Sequence, residues 1–254
     1  MKLSKPLASR AETDISVVPM KDDLDSLADR AYEAVRDDIL RGRLAPGTPL
    51  SRRRLADALG MSIVPIAEAL RRLEDDGLVE SRARAGTRVR VHTDDDVREL
   101  YELREALETQ SARLFSQRAT PGQRSEIRRL AQQLDVLFSR LAANADDAAF
   151  RYAVHTHHVQ FHMRIAEHAR SPLLTSMIER QHVLILNWLF DLTGRRTPLP
   201  PGFHARLADA LMSREVERAD AAMRAHVRYG LTEVAGQIQT MAASEWREPR
   251  KTGR

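Results

Sequence analysis

The apolar residues of this 254-residue chain recur three and four positions apart almost throughout, and one short stretch breaks that spacing. The spacing is helical from residue 24 to residue 76, becomes that of short β-strands between 78 and 91, and is helical again after Thr93. This pattern predicts a mainly α protein built from two units. The first unit combines helices with a β-hairpin, and the second is an all-α helical bundle.

The first unit, residues 24–92, has the outline of a winged helix-turn-helix. A helix is predicted to about Arg41, a second over Arg52–Leu59 and a third over Ser62–Asp76, with Gly60 in the tight turn between the last two. The hairpin that follows would form the wing. A slim helix beside a wing can enter the major groove of DNA, so the unit is a candidate DNA-binding domain.

The second unit, residues 93–243, begins with strong helix-start signals. Thr93 precedes three aspartates, which are favourable at the positive end of a helix, and Thr120-Pro121 opens a capping box. The flanking segments 1–23 and 244–254 lack any period and are predicted to be a flexible arm and tail. Further helical patterns cover roughly 123–142, 147–169, 173–192, 202–212 and 215–241.

Composition excludes several classes of chemistry. The chain has no cysteine, so disulfides, thiolate catalysis and Cys-ligated metal sites are excluded, and any metal must be held by histidines and carboxylates. No apolar run reaches the roughly 18 residues of a membrane span. We therefore expect a soluble cytoplasmic protein that does not associate with a membrane.

Basic residues are concentrated on the elements that would face DNA. They can hold phosphates, although solvated surface charges would give the same composition, since the net charge is only +4. The arginines concerned are Arg52, Arg53, Arg54, Arg71, Arg72, Arg82, Arg84, Arg88 and Arg90.

Four of the nine histidines have a spacing suited to binding a metal. His158 and His162 lie four residues apart and project from one helix face, which is a chelating arrangement. His204 and His226 follow on later helices and could meet them inside a bundle. The alternative is a set of scattered surface histidines, and both His155 and His157, next to the pair, are interpreted in that way.

Four segments of the first unit carry a family pattern: Ile39–Leu50, Leu55–Ser62, Pro65–Leu73 and Gly77–Val79. Through them the unit resembles the GntR family of regulators over residues 30–91. The resemblance implies that Arg53 contacts DNA, that Ser62 caps the recognition helix and binds phosphate, and that Gly86 lets the wing approach the minor groove. The candidate DNA-contacting residues are Arg53, Ser62, Ile63, Val64, Ala67, Arg71 and Gly86.

One departure from the family bears on DNA recognition. Family members have arginine where this chain has Ile63 and Ala67. Each bidentate arginine supplies about 1–3 kcal/mol of base discrimination, so the usual readout loses on the order of 2–6 kcal/mol. The sequence predicts an operator read partly through thymine methyl groups; weaker specificity and loss of DNA binding are the alternatives.

From Asp94 onward the chain resembles the FCD ligand-binding domain of FadR-type GntR regulators. The segments that match are Tyr101–Glu108, Phe161–Ala166, Phe203-His204 and Met223–His226. The resemblance implies a divalent metal held by His158, His162, His204 and His226, with His158 in place of the family's aspartate. Imidazole ligands favour zinc, with nickel as the other candidate.

The same resemblance implies that Arg104 binds the acid group of a small organic effector, which a guanidinium fork does well. The alternative is a surface ion pair between Arg104 and Glu108, one helical turn away.

Together these patterns predict a homodimeric, metabolite-responsive regulator of operator DNA that is not an enzyme. The alternatives are a metal-dependent hydrolase and a helical ligand-binding protein that does not contact DNA. No HExxH-like motif supplies the general base that a metallohydrolase needs. The sequence does not specify the effector, the operator, or repression as opposed to activation.

Overall fold

The computed structural model describes residues 26–180 and 198–238. The predicted arm at 1–23 and tail at 244–254 lie outside these ranges, as do the parts of two predicted helices beyond Arg180 and Ile238.

Residues 26–92 form a head in which a short sheet and helices pack together. Ser26 and Asp29 form a capping box at the start of the first helix. Gly60, at φ +63°, ends the second helix and allows the tight turn into the third. The elements are α1 (Leu27–Leu40), β1 (Pro49–Leu50), α2 (Arg52–Leu59), α3 (Ile63–Asp75), β2 (Val79–Arg82) and β3 (Gly86–Val89).

The strands pair antiparallel in the order β1-β3-β2. Strands β2 and β3 form the predicted wing hairpin, with Val79 opposite Val89. Strand β1 is not predicted from the sequence, because it has only two residues and one of them is Pro49. Proline is tolerated there because β1 lies at the edge of the sheet. This element order is that of a winged helix-turn-helix, which confirms the predicted fold of the head.

The head has its own apolar core. Ile39 of α1, Ile66 and Leu73 of α3, and Leu78 and Val89 around the hairpin are all fully buried. Burying such side chains is worth about 1.5–3 kcal/mol each relative to exposure. This packing fixes α3 against the sheet, so the opposite face of α3 is available to a partner.

After the head, the regular secondary structure of the described residues is helical. The predicted helix start at Thr93 is confirmed, and Thr93 forms a capping box with Asp96 there. The capping box predicted at Thr120 is formed with Gln123. The helices are α4 (Asp94–Arg118), α5 (Pro121–Ser139), α6 (Ala148–His168), α7 (Pro172–Arg180), α8 (Phe203–Met212) and α9 (Val216–Ile238), with a 3₁₀ turn at Ala142–Asn144.

The helices of the bundle converge on a shared core. Helix α4 packs along α9, while α5 packs against both α6 and α8. Phe115, Ile127 and Phe161, from α4, α5 and α6, are fully buried where these helices meet. Within the described ranges, no helix has both the length and the apolar character needed to span a bilayer.

The head and the bundle are in contact. The hydroxyl of Tyr152 on α6 donates to Oδ1 of Asp37 on α1 at 3.2 Å, and the guanidinium of Arg41 lies 4.1 Å from the centre of the Tyr152 ring. Near the wing, Arg90 pairs with Asp96 of α4 at 2.6 Å. Helix α4 therefore starts directly beside the wing.

Candidate functional site

The predicted histidines converge inside the bundle. His158 and His162 come from α6, His204 from the first turn of α8 and His226 from α9, and all are buried. One ring nitrogen from each of His158, His204 and His226 lies within 4.8 Å of the others, so these residues could hold a metal ion. His162 joins them, because its Nε2 lies 2.9 Å from Nε2 of His158.

The spacing of the nitrogens is compatible with a shared cation. The Nε2 atoms of His158, His162 and His226 are separated by 2.9, 3.1 and 3.4 Å. A neutral ring nitrogen either donates or accepts, so at least one of these contacts pairs two donors or two acceptors. With Zn–N bonds of about 2.0–2.1 Å, tetrahedral ligands stand about 3.3 Å apart. Lone pairs directed at a shared cation resolve this conflict.

Two carboxylates set the orientation of these rings. Oε2 of Glu108 on α4 lies 2.7 Å from Nδ1 of His162, and Oδ1 of Asp135 on α5 lies 2.8 Å from Nδ1 of His204. A proton held on Nδ1 leaves the lone pair on Nε2, which is the tautomer that a metal needs. Both carboxylates thus favour the ligand form of the imidazole.

Asp135 also substitutes for a helix cap. The residue before α8 is Gly202, which has no side chain, and the backbone N–H groups of His204 and Ala205 donate to Asp135 at 2.9 and 3.0 Å. These donors would otherwise lack a helical partner. One side chain therefore fixes both the start of α8 and the ring that projects from it.

The charges in the site depend on these contacts. Burial acts to raise the pKa of Glu108, but the charge of Arg104, followed by the interaction with His162, outweighs it and lowers that pKa to about 2. For Asp135, burial is likewise outweighed by the hydrogen bonds from His204, and its pKa falls below its usual value. Burial, followed by the neighbouring imidazoles, lowers the pKa of His158 far below its usual value. Anionic carboxylates and a neutral His158 suit cation binding.

Arg104 faces the same site. It is buried, and its Nε donates to Oε1 of Glu108 at 2.6 Å. The ion pair that was the alternative interpretation is present, but it is buried and not at the surface. Arg104 also lines a cavity beside the histidines, which leaves the predicted role in acid binding open to it.

That cavity is small and largely aromatic. Its water-accessible volume is about 20 Å³, which is room for roughly one water molecule. Phe203 stacks on His226 with ring centres 4.7 Å apart, and Phe138 meets His158 edge-on at 5.5 Å. An organic acid can enter only if these walls separate.

The interpretation of His155 as a surface residue was wrong. Its ring is buried, with its centre 6.2 Å from that of Phe138 and the two rings edge-on. His155 is three residues before His158, so it lies on the same inward side of α6. Its exposed neighbour His157 instead contacts the carbonyl of Ala153 at 2.7 Å.

The first turn of α3 presents apolar side chains to solvent. Ile63 is 53% exposed and Val64 is 74% exposed, while Ala67, one turn further on, is partly buried. Ser62 occupies the N-cap position of α3, but its side chain makes no capping hydrogen bond with that helix. The predicted capping bond is therefore not formed in this structure.

The other DNA-binding candidates lie around this turn. Arg53 is exposed on α2, and Arg71 is exposed on α3, where it pairs with Asp75 at 2.7 Å. Such an exposed pair is worth at most about 1 kcal/mol, so a phosphate could replace Asp75. Gly86 begins β3 at φ +92°, a conformation that favours glycine.

Sequence reasoning missed both carboxylates beside the candidate metal site. Glu108 was considered only as a surface partner of Arg104, although its position one turn from a cavity-facing residue was a usable signal. Asp135 gave no signal, because it reaches His204 across 69 residues of chain. The search for a metallohydrolase motif did not find them either, since neither lies beside a histidine in sequence.

Comparison with known families covers both units. Residues 27–89 match the family model described as bacterial regulatory proteins, gntR family, and residues 99–229 match the FCD domain. These matches agree with a winged helix-turn-helix followed by a helical bundle.

Individual relatives are similar along most of the chain. A probable D-xylose utilization operon transcriptional repressor from Paenarthrobacter nicotinovorans is 29% identical over 209 residues, which are 80% of this chain and 86% of that protein. The structure of Escherichia coli McbR/YncC superposes with a TM-score of 0.65 at 22% identity, over 84% of this chain and 99% of that one. A putative GntR regulator from Rhodococcus sp. RHA1 gives 0.64 at 22% identity, over 82% and 97%. At this identity, the two structures show the fold alone.

Proposed function

The chain belongs to the GntR family of bacterial regulatory proteins and carries an FCD domain, and on that premise we propose that it is a transcriptional regulator whose bundle binds a divalent metal ion and a small organic acid. One observation carries the sensing part of the proposal. Buried imidazoles from α6, α8 and α9 bring their ring nitrogens close together, and the carboxylates of Glu108 and Asp135 lie 2.7 and 2.8 Å from Nδ1 of His162 and His204, which favours the ligand tautomer of both rings.

The metal would be held by His158, His162, His204 and His226. A set of imidazoles without a directly coordinating carboxylate favours zinc, with nickel as the main competitor, over manganese or magnesium. When bound, the ion would supply positive charge that attracts an acid group. The chain's own contribution is to orient the rings and to shield them behind Phe138 and Phe203.

The acid would bind at Arg104, beside the metal. A guanidinium binds carboxylates through paired hydrogen bonds, and Arg104 lines the cavity that the histidines also line. Because this cavity has room for about one water molecule, the acid binds better to an arrangement in which the walls have separated. This preference for one arrangement is what allows a ligand to shift a conformational equilibrium.

Operator recognition would use the exposed first turn of α3. Ile63 and Val64 can contact thymine methyl groups in the major groove, while Ser62 and Arg71 hold phosphates. Arg53 and Gly86 would bring α2 and the wing onto the backbone. This readout differs from the arginine contacts that the family resemblance implies.

The signal would pass from the bundle to the head through α4 and α6. Arg104 lies on α4, which begins beside the wing, and the histidine pair lies on α6, whose Tyr152 contacts α1. In a homodimer, two heads would meet half-sites one DNA turn apart, so a small shift of these helices would change the spacing of the heads. The acid would thereby alter operator affinity.

The carboxylates beside the site do not favour a hydrolase. A general base must be able to reach a water molecule. Glu108 and Asp135 instead each contact an imidazole Nδ1, and Glu108 also accepts a hydrogen bond from Arg104. These contacts assign both carboxylates to orienting the rings.

Native mass spectrometry with metal analysis, on protein purified without chelator, tests the sensing proposal. We expect a dimer carrying one zinc or nickel ion per chain. A gel shift with the chain's own upstream DNA, with and without carboxylic acids, tests the regulatory part. Metal-free protein that cannot be loaded, or operator affinity that no acid alters, would overturn the respective part.

A further inference from the structure

Glu108 contacts both halves of the proposed sensing site. Its Oε1 accepts from Nε of Arg104 at 2.6 Å, and its Oε2 lies 2.7 Å from Nδ1 of His162. Glu108 is only 2% exposed, so solvent does not compete for these oxygens. The carboxylate therefore stands between the metal ligand and the acid-binding residue, and it belongs to neither set.

We propose that Glu108 is a positioning residue that links metal binding to acid binding. This inference rests on the proposed function and assigns the coupling within that site to one side chain. Oε2 of Glu108 lies 2.7 Å from Nδ1 of His162, so the carboxylate favours a proton on Nδ1 and keeps the Nε2 lone pair available for the ion. By accepting from Nε of Arg104, it fixes the plane of the guanidinium. Displacement of either partner therefore disturbs the other.

Only a carboxylate can perform both tasks. Nε of Arg104 and Nδ1 of His162 are both donors, and an ionised carboxylate offers acceptors on both oxygens. In Glu108→Gln, one contact would place the amide NH₂ against a donor. Either Arg104 moves away, or the His162 ring adopts the other tautomer and loses its ligand lone pair.

Asp135 provides a matched control within the same site. It accepts from Nδ1 of His204 at 2.8 Å, and its other hydrogen bonds come from the backbone N–H groups of His204 and Ala205. Asp135→Asn therefore disturbs one ring without altering the partner of Arg104. A difference between the two variants isolates the Arg104 contact from the general effect of losing a carboxylate.

The test measures zinc and acid separately. Zinc affinity is determined by competition with a chelator, and acid affinity by calorimetry on zinc-saturated protein with acetate, succinate and citrate as probes. We expect both E108Q and D135N to lose about 10- to 100-fold in zinc affinity. We expect E108Q to lose about tenfold more acid affinity than D135N, because only E108Q releases Arg104.

A second measurement uses the wild-type protein, so its result does not depend on whether a variant folds. Long-range ¹⁵N–¹H spectra of metal-free wild-type protein report the tautomer of each imidazole, and we expect His162 to carry its proton on Nδ1.

Glu108→Asp keeps the charge on a shorter side chain and should recover part of the zinc affinity that E108Q loses.

Each outcome decides between the proposals. Any one of three results would overturn the coupling role of Glu108. E108Q could bind zinc as tightly as the wild type does, or E108Q and D135N could bind acid equally well. The third is a proton on Nε2 of His162 in the metal-free protein. Wild-type protein that binds no zinc, or zinc-loaded protein that binds none of these acids, would instead overturn the proposed function.

Discussion

At the scale of single residues, the molecule uses one side-chain type in opposite environments. His158 and His204 are buried beside other imidazoles, whereas His157, on the same helix as His158, is exposed. Their chemistry differs because burial and partners decide which nitrogen carries a proton. The presence of histidines in the sequence therefore does not by itself indicate a metal site, because the fold must also bring their rings together.

Ile63 and Ala67 should determine which bases the head reads. Ile63→Arg combined with Ala67→Arg restores two guanidinium groups at the first turns of α3, and each bidentate contact with guanine is worth about 1–3 kcal/mol. We expect the double variant to prefer operators with guanine at the contacted positions by tenfold or more. Binding to a randomised operator library, followed by sequencing of the bound fraction, measures this preference.

The control for that experiment adds the same charge elsewhere. Val136 on α5 and Leu173 on α7 are 51% and 74% exposed, so Val136→Arg with Leu173→Arg is sterically tolerated. This variant should leave the operator preference as it is in the wild type. If both double variants prefer the same sequences, Ile63 and Ala67 do not contribute to base readout.

His92, between the wing and α4, should make stability depend on pH. Burial and then the charge of Arg90 lower its pKa from 6.5 to about 4 in the folded protein, with Asp96 and Glu80 opposing the charge of Arg90. Between those values the unfolded chain binds a proton that the folded chain does not. The free energy of unfolding should therefore fall as pH decreases from about 6.5 to 4, by at most about 3 kcal/mol.

Urea unfolding at a series of pH values measures this effect. His92→Gln should flatten the pH dependence in that window, while His157→Gln, which changes an exposed histidine, serves as the control. An identical slope for wild type and His92→Gln would show that other groups cause the loss of stability.

At the scale of elements, α4 and α6 each have two functions. Helix α4 carries Arg104 and Glu108 near its middle and meets Arg90 of the wing region through Asp96 near its start. Helix α6 carries Tyr152 near its start and the histidine pair beyond it. Because an α-helix is stiff over this length, a displacement of one end also moves the other end.

The Tyr152 hydroxyl should contribute to signal transmission through α6. Tyr152→Phe removes the hydrogen bond to Asp37 but keeps the ring on which Arg41 packs. A hydrogen bond of this kind is worth about 1 kcal/mol, so the acid-induced change in operator affinity should fall about fivefold. Fluorescence anisotropy of labelled operator with and without acid measures this change.

Gln160→Ala, at an exposed position on the same helix, controls for a general effect on α6. Zinc affinity should be the same in wild type and Tyr152→Phe, since Tyr152 is not a ligand. An unchanged response to acid in Tyr152→Phe would mean that the signal does not pass through this contact.

At the scale of the whole molecule, the metal should hold the bundle together. The proposed ligands lie on α6, α8 and α9, so one ion would join helices that are far apart in sequence. A ligand that binds only the folded state stabilises it by about 2.7 kcal/mol at 100 times its Kd. Dialysis against EDTA should therefore lower the Tm by several degrees.

Calorimetry before and after dialysis measures the shift, and adding zinc back should restore the original Tm. A variant with His157→Ala, which lies outside the cluster, should respond to EDTA as the wild type does. A Tm that does not change on chelation would argue against a structural metal joining these helices.

The sequence by itself determined most of the elements. Helical periodicity, the capping boxes at Thr93 and Thr120 and the glycine turn at Gly60 act over a few residues, so they can be recognised without the fold. The spacing of the histidines indicated a candidate metal site, and the family resemblance implied which four of them are the ligands. The residues that the sequence left undecided were those whose role depends on a distant partner.

Only the tertiary structure decided the rest. It buried the Arg104–Glu108 pair that looked like a surface contact, and it brought Asp135 to His204. It also added β1, which exists only because β3 provides its hydrogen bonds. Local patterns fix where helices begin and end, but burial and contacts between distant helices arise only when the chain packs.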